Sequence, residues 1–182
     1  TAMADRKDAL VAAAGFINKV PEIVKEYGNE FTVATVGTIK VTPHSVNVIP
    51  GTCTFSLEIR DQSAEVMKLI ENHLRQLLED ICKKYGVTST FVPTSYHDPA
   101  PMSELVRGTI EEAVKELGID YTVIPSGAFH DSLIMTSVFP TGMIFVPSKD
   151  GISHSRYEYT APEDIENGCN VLLNTVIKLD EK

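Results

Sequence analysis

The chain has 182 residues, 43% of them apolar and 23% charged, which is the composition of a folded globular protein and excludes a disordered or low-complexity chain. Sixteen basic residues against 25 acidic ones give a net charge of −9, and no run of Lys or Arg forms a patch, so nucleic acid and anionic membranes are poor partners. No apolar stretch is long enough to span a membrane and no cationic-then-apolar leader opens the chain; the scattered Cys53, Cys82 and Cys169 read as three buried thiols of a reducing cytoplasm, without disulfide or cysteine–zinc spacing.

In chain order, Asp5 to about Tyr27 reads as a helix with Leu10, Ala13, Ala14, Ile17, Val20 and Val24 on one stripe, kinked or broken at Pro21 and stopped by Gly28-Asn29. Phe31 to Val41 reads as a strand with Phe31, Val33, Ile39 and Val41 on one face. Thr52 to Arg60 alternates cleanly, with Cys53, Phe55, Leu57 and Ile59 inward. Asp61 or Ser63 caps a helix running to about Tyr85, where Gly86 stops it. Val87 to Pro93 completes the half as a further strand. Helix, strand, strand, helix, strand is a ferredoxin-like α+β layer lacking its first strand.

The two prolines of His97-Asp98-Pro99-Ala100-Pro101 mark a linker. Beyond it come a helix from Ser103 to Leu117, a strand from Tyr121 to Ile124, a helix from His130 to about Val138 and a strand from Gly142 to Val146. A polar loop then leads to a Thr160-Ala161-Pro162-Glu163 capping box. The last helix carries Ile165, Cys169, Leu172, Val176 and Leu179 on one face. Short strands alternating with helices read as part of an α/β layer.

Polar groups with chemical capacity gather after the two strands of the second half, where ligands of α/β sheets collect. His130 precedes Asp131 in one such segment; His154 lies among small residues in the other, where a neutral imidazole can bind a metal or move a proton. A helix cap and a solvent-exposed loop residue are the alternatives. Arg60, on the polar face at a strand end, suits a carboxylate, or else an ion pair with Glu58, Asp61 or a helix acid. Asn47 lies in a turn-prone loop and either serves the turn or a ligand. His73 reads as structural, and His44 and His97 as surface residues. No pair of carboxylates stands out.

Six segments together resemble one family. They are Thr1 to Leu10, Val46-Asn47-Val48-Ile49-Pro50-Gly51, Phe55 to Arg60, Ser126-Gly127-Ala128-Phe129-His130-Asp131, Met143 to Ser148, and Gly151-Ile152-Ser153-His154-Ser155 followed by Glu158. The family is that of the metal-dependent N-carbamoyl-L-amino-acid hydrolases, allantoate amidohydrolase and β-ureidopropionase, in the wider clan of dinuclear zinc aminopeptidase-like and aminoacylase-like enzymes.

The resemblance implies a lid or dimerisation domain over residues 1–100 and the C-terminal part of a zinc-peptidase-like catalytic domain over 101–182. It implies that Asn47, Arg60 and His130 bind substrate, that His154 is a metal ligand, and that Phe129 stands where a small residue is usual. The implied reaction is hydrolysis of the amide or ureido C–N bond of N-carbamoyl-L-amino acids or allantoate, in a cytoplasmic homodimer joined through the lid, by two divalent ions (Zn, Mn, Co or Ni). The general base and the other ligands are expected N-terminal to this chain. The chain by itself is therefore expected to be an inactive fragment with no metal site or an incomplete one. Two other readings stand beside this one: a small-peptide or N-acyl-amino-acid hydrolase of the same clan, and a non-catalytic dimerisation or binding module.

Overall fold

Asp8 turns its carboxylate back to accept the backbone N–H groups of Leu10 and Val11, at 3.0 and 3.1 Å, and so opens helix α1 (Ala9–Tyr27). Those are donors that no preceding turn can satisfy. The structure, a computed structural model, describes residues 1–181. It divides into two compact units, Thr1–Pro99 and a second from Ala100 onward.

In the first unit Pro21 lies within α1 and does not end it. The buried stripe is Ala12, Ala13, Phe16 and Val20; Ala14 is exposed. The face is rotated from the expected one because Phe16, the bulkiest apolar side chain of the helix, takes the deepest position at 1% exposure. Helix α2 (Ala64–Tyr85) is capped by Ser63, whose Oγ accepts the Val66 N–H at 3.4 Å, and ends at Gly86, which adopts the left-handed φ of 63° that glycine tolerates. Ile70 and Leu74 of α2 meet Phe16 and Val20 in one core, flanked by Ile17, Leu77 and Ile81.

Both helices lie on a hairpin of four short strands: β1 (Val33–Thr35), β2 (Ile39–Thr42), β3 (Thr52–Phe55) and β4 (Glu58–Arg60). β2 pairs antiparallel with β3, from Ile39 opposite Phe55 to Thr42 opposite Thr52; β1 pairs with β4, from Val33 opposite Arg60 to Thr35 opposite Glu58. Between the ladders residues 36–38 face only residues 56–57, so one extra residue bulges from the first strand. Ser56 closes the gap: its N–H donates to Thr38 O at 3.2 Å and its Oγ accepts the Thr38 N–H at 3.1 Å.

The bulge changes the face of everything before it. Ala34 and Ile59 turn to the core, with Phe55 and Leu57 beyond the bulge, while Val33 and Ile39 stay 51% and 52% exposed. A single inward face for Phe31, Val33, Ile39 and Val41 is therefore wrong. So is one unbroken strand from Thr52 to Arg60.

Three further strands expected from the sequence are absent. Residues 87–93, 121–124 and 142–146 have no ladder partner among the described residues. A strand exists only against a second backbone, which apolar alternation cannot guarantee. The segment 87–93 is instead tied to α2 by the Arg75 guanidinium, 3.6 Å above the Phe91 ring. It does not pair with residues 52–60.

The second unit packs α3 (Glu104–Glu116) against α5 (Pro162–Asp180), burying Thr109, Ala113 and Val114 with Val171 and Thr175. The buried threonines donate to carbonyls one turn back, Thr109 to Leu105 at 2.8 Å and Thr175 to Val171 at 2.7 Å, so neither hydroxyl is stranded. The segment 142–146 lies along both helices. A Cβ on Gly142 would come within 2.7 Å of Val106, and one on Gly168 within 2.5 Å of Val146.

Two expectations for this unit fail, the capping box and the burial of Cys169. The capping box does not form: Pro162, with φ preset for a helix, occupies the first turn, so Ala161 is the cap and Thr160 falls outside. Ile165, Leu172 and Val176 are about half exposed, because α5 offers the narrower Val171–Thr175 edge to α3. Cys169, on the same outward face, is exposed; Cys53 and Cys82 are half-buried, and all three thiols are free. Between α3 and α5 in the chain comes α4 (Asp131–Met135), continued by turns to Val138. No helix among the described residues is long and apolar enough to cross a membrane.

Candidate functional site

The hairpin places the two candidates of the first unit. Asn47 sits in the exposed turn of the connection from β2 to β3, where its side-chain oxygen accepts the Ser45 hydroxyl at 3.0 Å. Arg60 ends β4 and is paired with Val33 at the open end of the hairpin. Its guanidinium donates to Glu58 Oε1 at 2.9 Å, with about 43% of the side chain exposed. This is the ion pair that the sequence offered as the alternative for Arg60. In such an exposed pair the carboxylate is replaceable by another anion at small cost. Eight residue steps separate Thr52, at the closed end, from Arg60. At the rise of an extended strand that is roughly 25 Å. Asn47 therefore belongs to the connection at the closed end of the hairpin, and Arg60 to its open end.

In the second unit two motif segments meet through Phe145. His130 caps α4 with extended backbone, and its ring stands edge-on to Phe145 at 5.7 Å. Its Nε2 lies 2.9 Å from Ser126 Oγ, and that oxygen also accepts the Ala128 N–H at 3.3 Å. One hydroxyl thus orders the turn and fixes the imidazole, leaving the ring half-buried. Phe129, beside it, is 54% exposed.

The segment 142–146 runs on into the loop that carries His154. This loop is closed at its base, where Lys149 N–H donates to Tyr159 O at 2.8 Å, and Ser148 Oγ donates to Ile152 O at 2.5 Å. Three of its residues have left-handed backbone: Asp150 at φ 57°, Gly151 at 66° and His154 at 54°. For a histidine this conformation is uncommon. The His154 N–H donates to Glu158 Oε2 at 2.8 Å, and His154 is exposed.

His130 and His154 therefore lie on segments that Phe145 joins. Sequence reasoning missed the parts played by Ser126 and Glu158. Each lies four residues from its histidine, and that spacing is the signal that could have found them. Of the remaining histidines, His73 stacks on Tyr27 at 3.5 Å, while His44 and His97 are exposed.

No group of three or more His, Cys, Asp and Glu side chains among the described residues is placed to hold a metal ion. His154 alone does not meet the ligand requirement of a metal centre, and the residues present do not fit one.

Comparison with known proteins follows the same segments. The sequence pattern of peptidase family M20/M25/M40 matches residues 13–178. An N-carbamoyl-L-amino acid amidohydrolase of Geobacillus stearothermophilus is 38% identical over 179 residues, 98% of this chain and 43% of that protein. An allantoate amidohydrolase of Bacillus subtilis is 33% identical over 98% of this chain and 43% of its own length. Among solved structures, that of AtUAH in complex with (S)-hydroxyglycine superposes with a TM-score of 0.91 at 34% identity, over 100% of this chain and 43% of that one. The chain thus spans less than half the length of these relatives.

Proposed function

The chain belongs to peptidase family M20/M25/M40, and from that membership we propose that it is part of a metal-dependent amidohydrolase acting on the C–N bond of N-carbamoyl-L-amino acids or allantoate. The observation that carries this reading is the 38% identity, across 98% of the chain, to a protein named for that activity. The chain alone is inactive, because two divalent ions (Zn, Mn, Co or Ni) need more ligands than His154 supplies. The other ligands and the general base belong to the part of the relatives that this chain does not cover.

Residues 1–100 act as a lid and dimerisation domain, ferredoxin-like when complete, and residues 101–182 as the C-terminal part of the catalytic domain. Arg60 exchanges its exposed partner Glu58 for the substrate carboxylate, gripping it with two parallel N–H bonds and fixing orientation. Asn47 donates its side-chain amide to the substrate carbonyl as negative charge builds on the oxygen. His130, held by Ser126, presents a fixed ring or backbone contact to substrate, and Phe129 narrows the space beside it. His154 supplies one metal ligand. The enzyme is a cytoplasmic homodimer joined through the lid. The separation of Asn47 from Arg60 along the hairpin agrees with that state, in which two chains contribute to one substrate site.

Ammonia release by the complete metal-loaded enzyme from N-carbamoyl-L-amino acids and from allantoate tests the reading, with N-acyl amino acids and dipeptides as comparators. Turnover confined to the comparators would transfer the assignment to the small-peptide or N-acyl branch. No turnover of any of them would favour a dimerisation or binding module.

A further inference from the structure

His154 has one of two non-glycine backbones at positive φ among the described residues, and the structure places a carboxylate directly on its amide. We propose that Glu158 is the positioning residue for His154: it clamps the left-handed backbone and so sets the direction in which the side chain leaves the loop. The proposal rests on the reading of His154 as a functional ligand, but the clamp itself can be tested without it.

Lys149 N–H donates to Tyr159 O at 2.8 Å, which anchors the residue next to Glu158. Glu158 N–H donates to Ser155 O at 3.0 Å, and Tyr157 N–H to Ser155 Oγ at 3.3 Å. Glu158 is thus pinned at the base by its neighbour and at the tip by its own amide. From that fixed point its carboxylate reaches the His154 N–H at 2.8 Å. An ionised acceptor makes this the strongest class of bond a backbone amide can form.

The opposing tendency comes from the side chain. With a Cβ, residue 154 resists the left-handed region, and no glycine relieves it. Gly151, three residues earlier, adopts φ 66° in open space and needs no such tie. A small side chain at 154 would adopt the turn more readily but would carry no imidazole. The sequence keeps the histidine and supplies an acceptor four residues on. Ser153 and Ser155 are short, so the direction in which the histidine leaves the loop, its Cα–Cβ bond, is set by the backbone that Glu158 holds.

The test uses the full chain and its backbone NMR spectrum. In the wild type the His154 amide–Hα coupling and the Cα and Cβ shifts report a left-handed residue. Glu158→Ala is expected to move all three out of that range, while the signals of α3 and α5 stay in place. Glu158→Gln keeps a carbonyl acceptor and is expected to restore the left-handed signature. Persistence of that signature in Glu158→Ala overturns the proposal. So does a loss in Glu158→Ala that Glu158→Gln does not repair. Normal turnover of His154→Ala in the complete enzyme would defeat the ligand reading alone, leaving the clamp to be judged on the spectrum.

Discussion

Arg60 and Asn47 differ in what holds them, and the difference sets what their loss should do. Arg60 is a half-buried cation whose ion pair with Glu58 is replaceable, so Arg60→Ala in the complete enzyme is expected to raise KM for carboxylate substrates with a smaller effect on kcat. Asn47 carries no charge and, in its proposed role, acts mainly on the developing oxyanion. Asn47→Ala is expected to lower kcat with KM little changed. Steady-state kinetics on both variants checks the pair, and near-wild-type values for both would return these residues to the ion pair and the turn. In the core, Ile70 is fully buried between α1 and the hairpin. Ile70→Ala is expected to cost about 2–5 kcal/mol, read from denaturant unfolding of the chain. Tyrosine fluorescence is a suitable probe, since the protein has no tryptophan.

The helices were legible because each is a local pattern. Ser63 and Gly86 bracket α2 as read, and Gly118, at φ 66°, follows the end of α3. The hairpin was legible only in outline. Gly37 within the first strand was the signal for a bulge, and reading through it put Val33 on the wrong face. The unpaired segments 87–93, 121–124 and 142–146 show the limit of alternation, since pairing depends on distant backbone. For the candidate site, the sequence located the residues but not their contacts. Nothing short of a structure relates Phe145 to His130, or opposes Asn47 and Arg60 along the hairpin.

Two predictions belong at this scale. The Lys115 ammonium, 2.8 Å away, and then the Tyr121 hydroxyl, at 2.5 Å, hold the Glu111 carboxyl below the usual carboxylate range. A depressed folded pKa adds stability above the unfolded value, and that contribution disappears as pH falls through the folded one. Tyr121 ring signals should therefore shift at acid pH in the wild type. In Glu111→Gln that step should be missing. The second prediction concerns the outward face of α5. Leu172 and Val176 are each 55% exposed, and so broad an apolar face favours association. Leu172→Lys with Val176→Lys is expected to lower the association seen by sedimentation across a concentration series, and an unchanged profile would show that this face takes no part.

At the scale of the whole molecule, the units from Thr1 and from Ala100 each have their own packed helix pair, yet neither holds a metal-ligand cluster among its described residues. The length of the hairpin leads to a genetic result. If each substrate takes Asn47 from one subunit and Arg60 from the other, two defective alleles should rescue one another. A dimer of Asn47→Ala chains has the same lesion at both sites, and so does a dimer of Arg60→Ala chains. A mixed dimer gathers both lesions at one site and leaves the other intact. Random co-assembly of the two variants should then recover roughly a quarter of wild-type sites. Coexpression that recovers nothing beyond the two variants alone would mean that a single subunit supplies both groups, and that the hairpin must bend to bring them together.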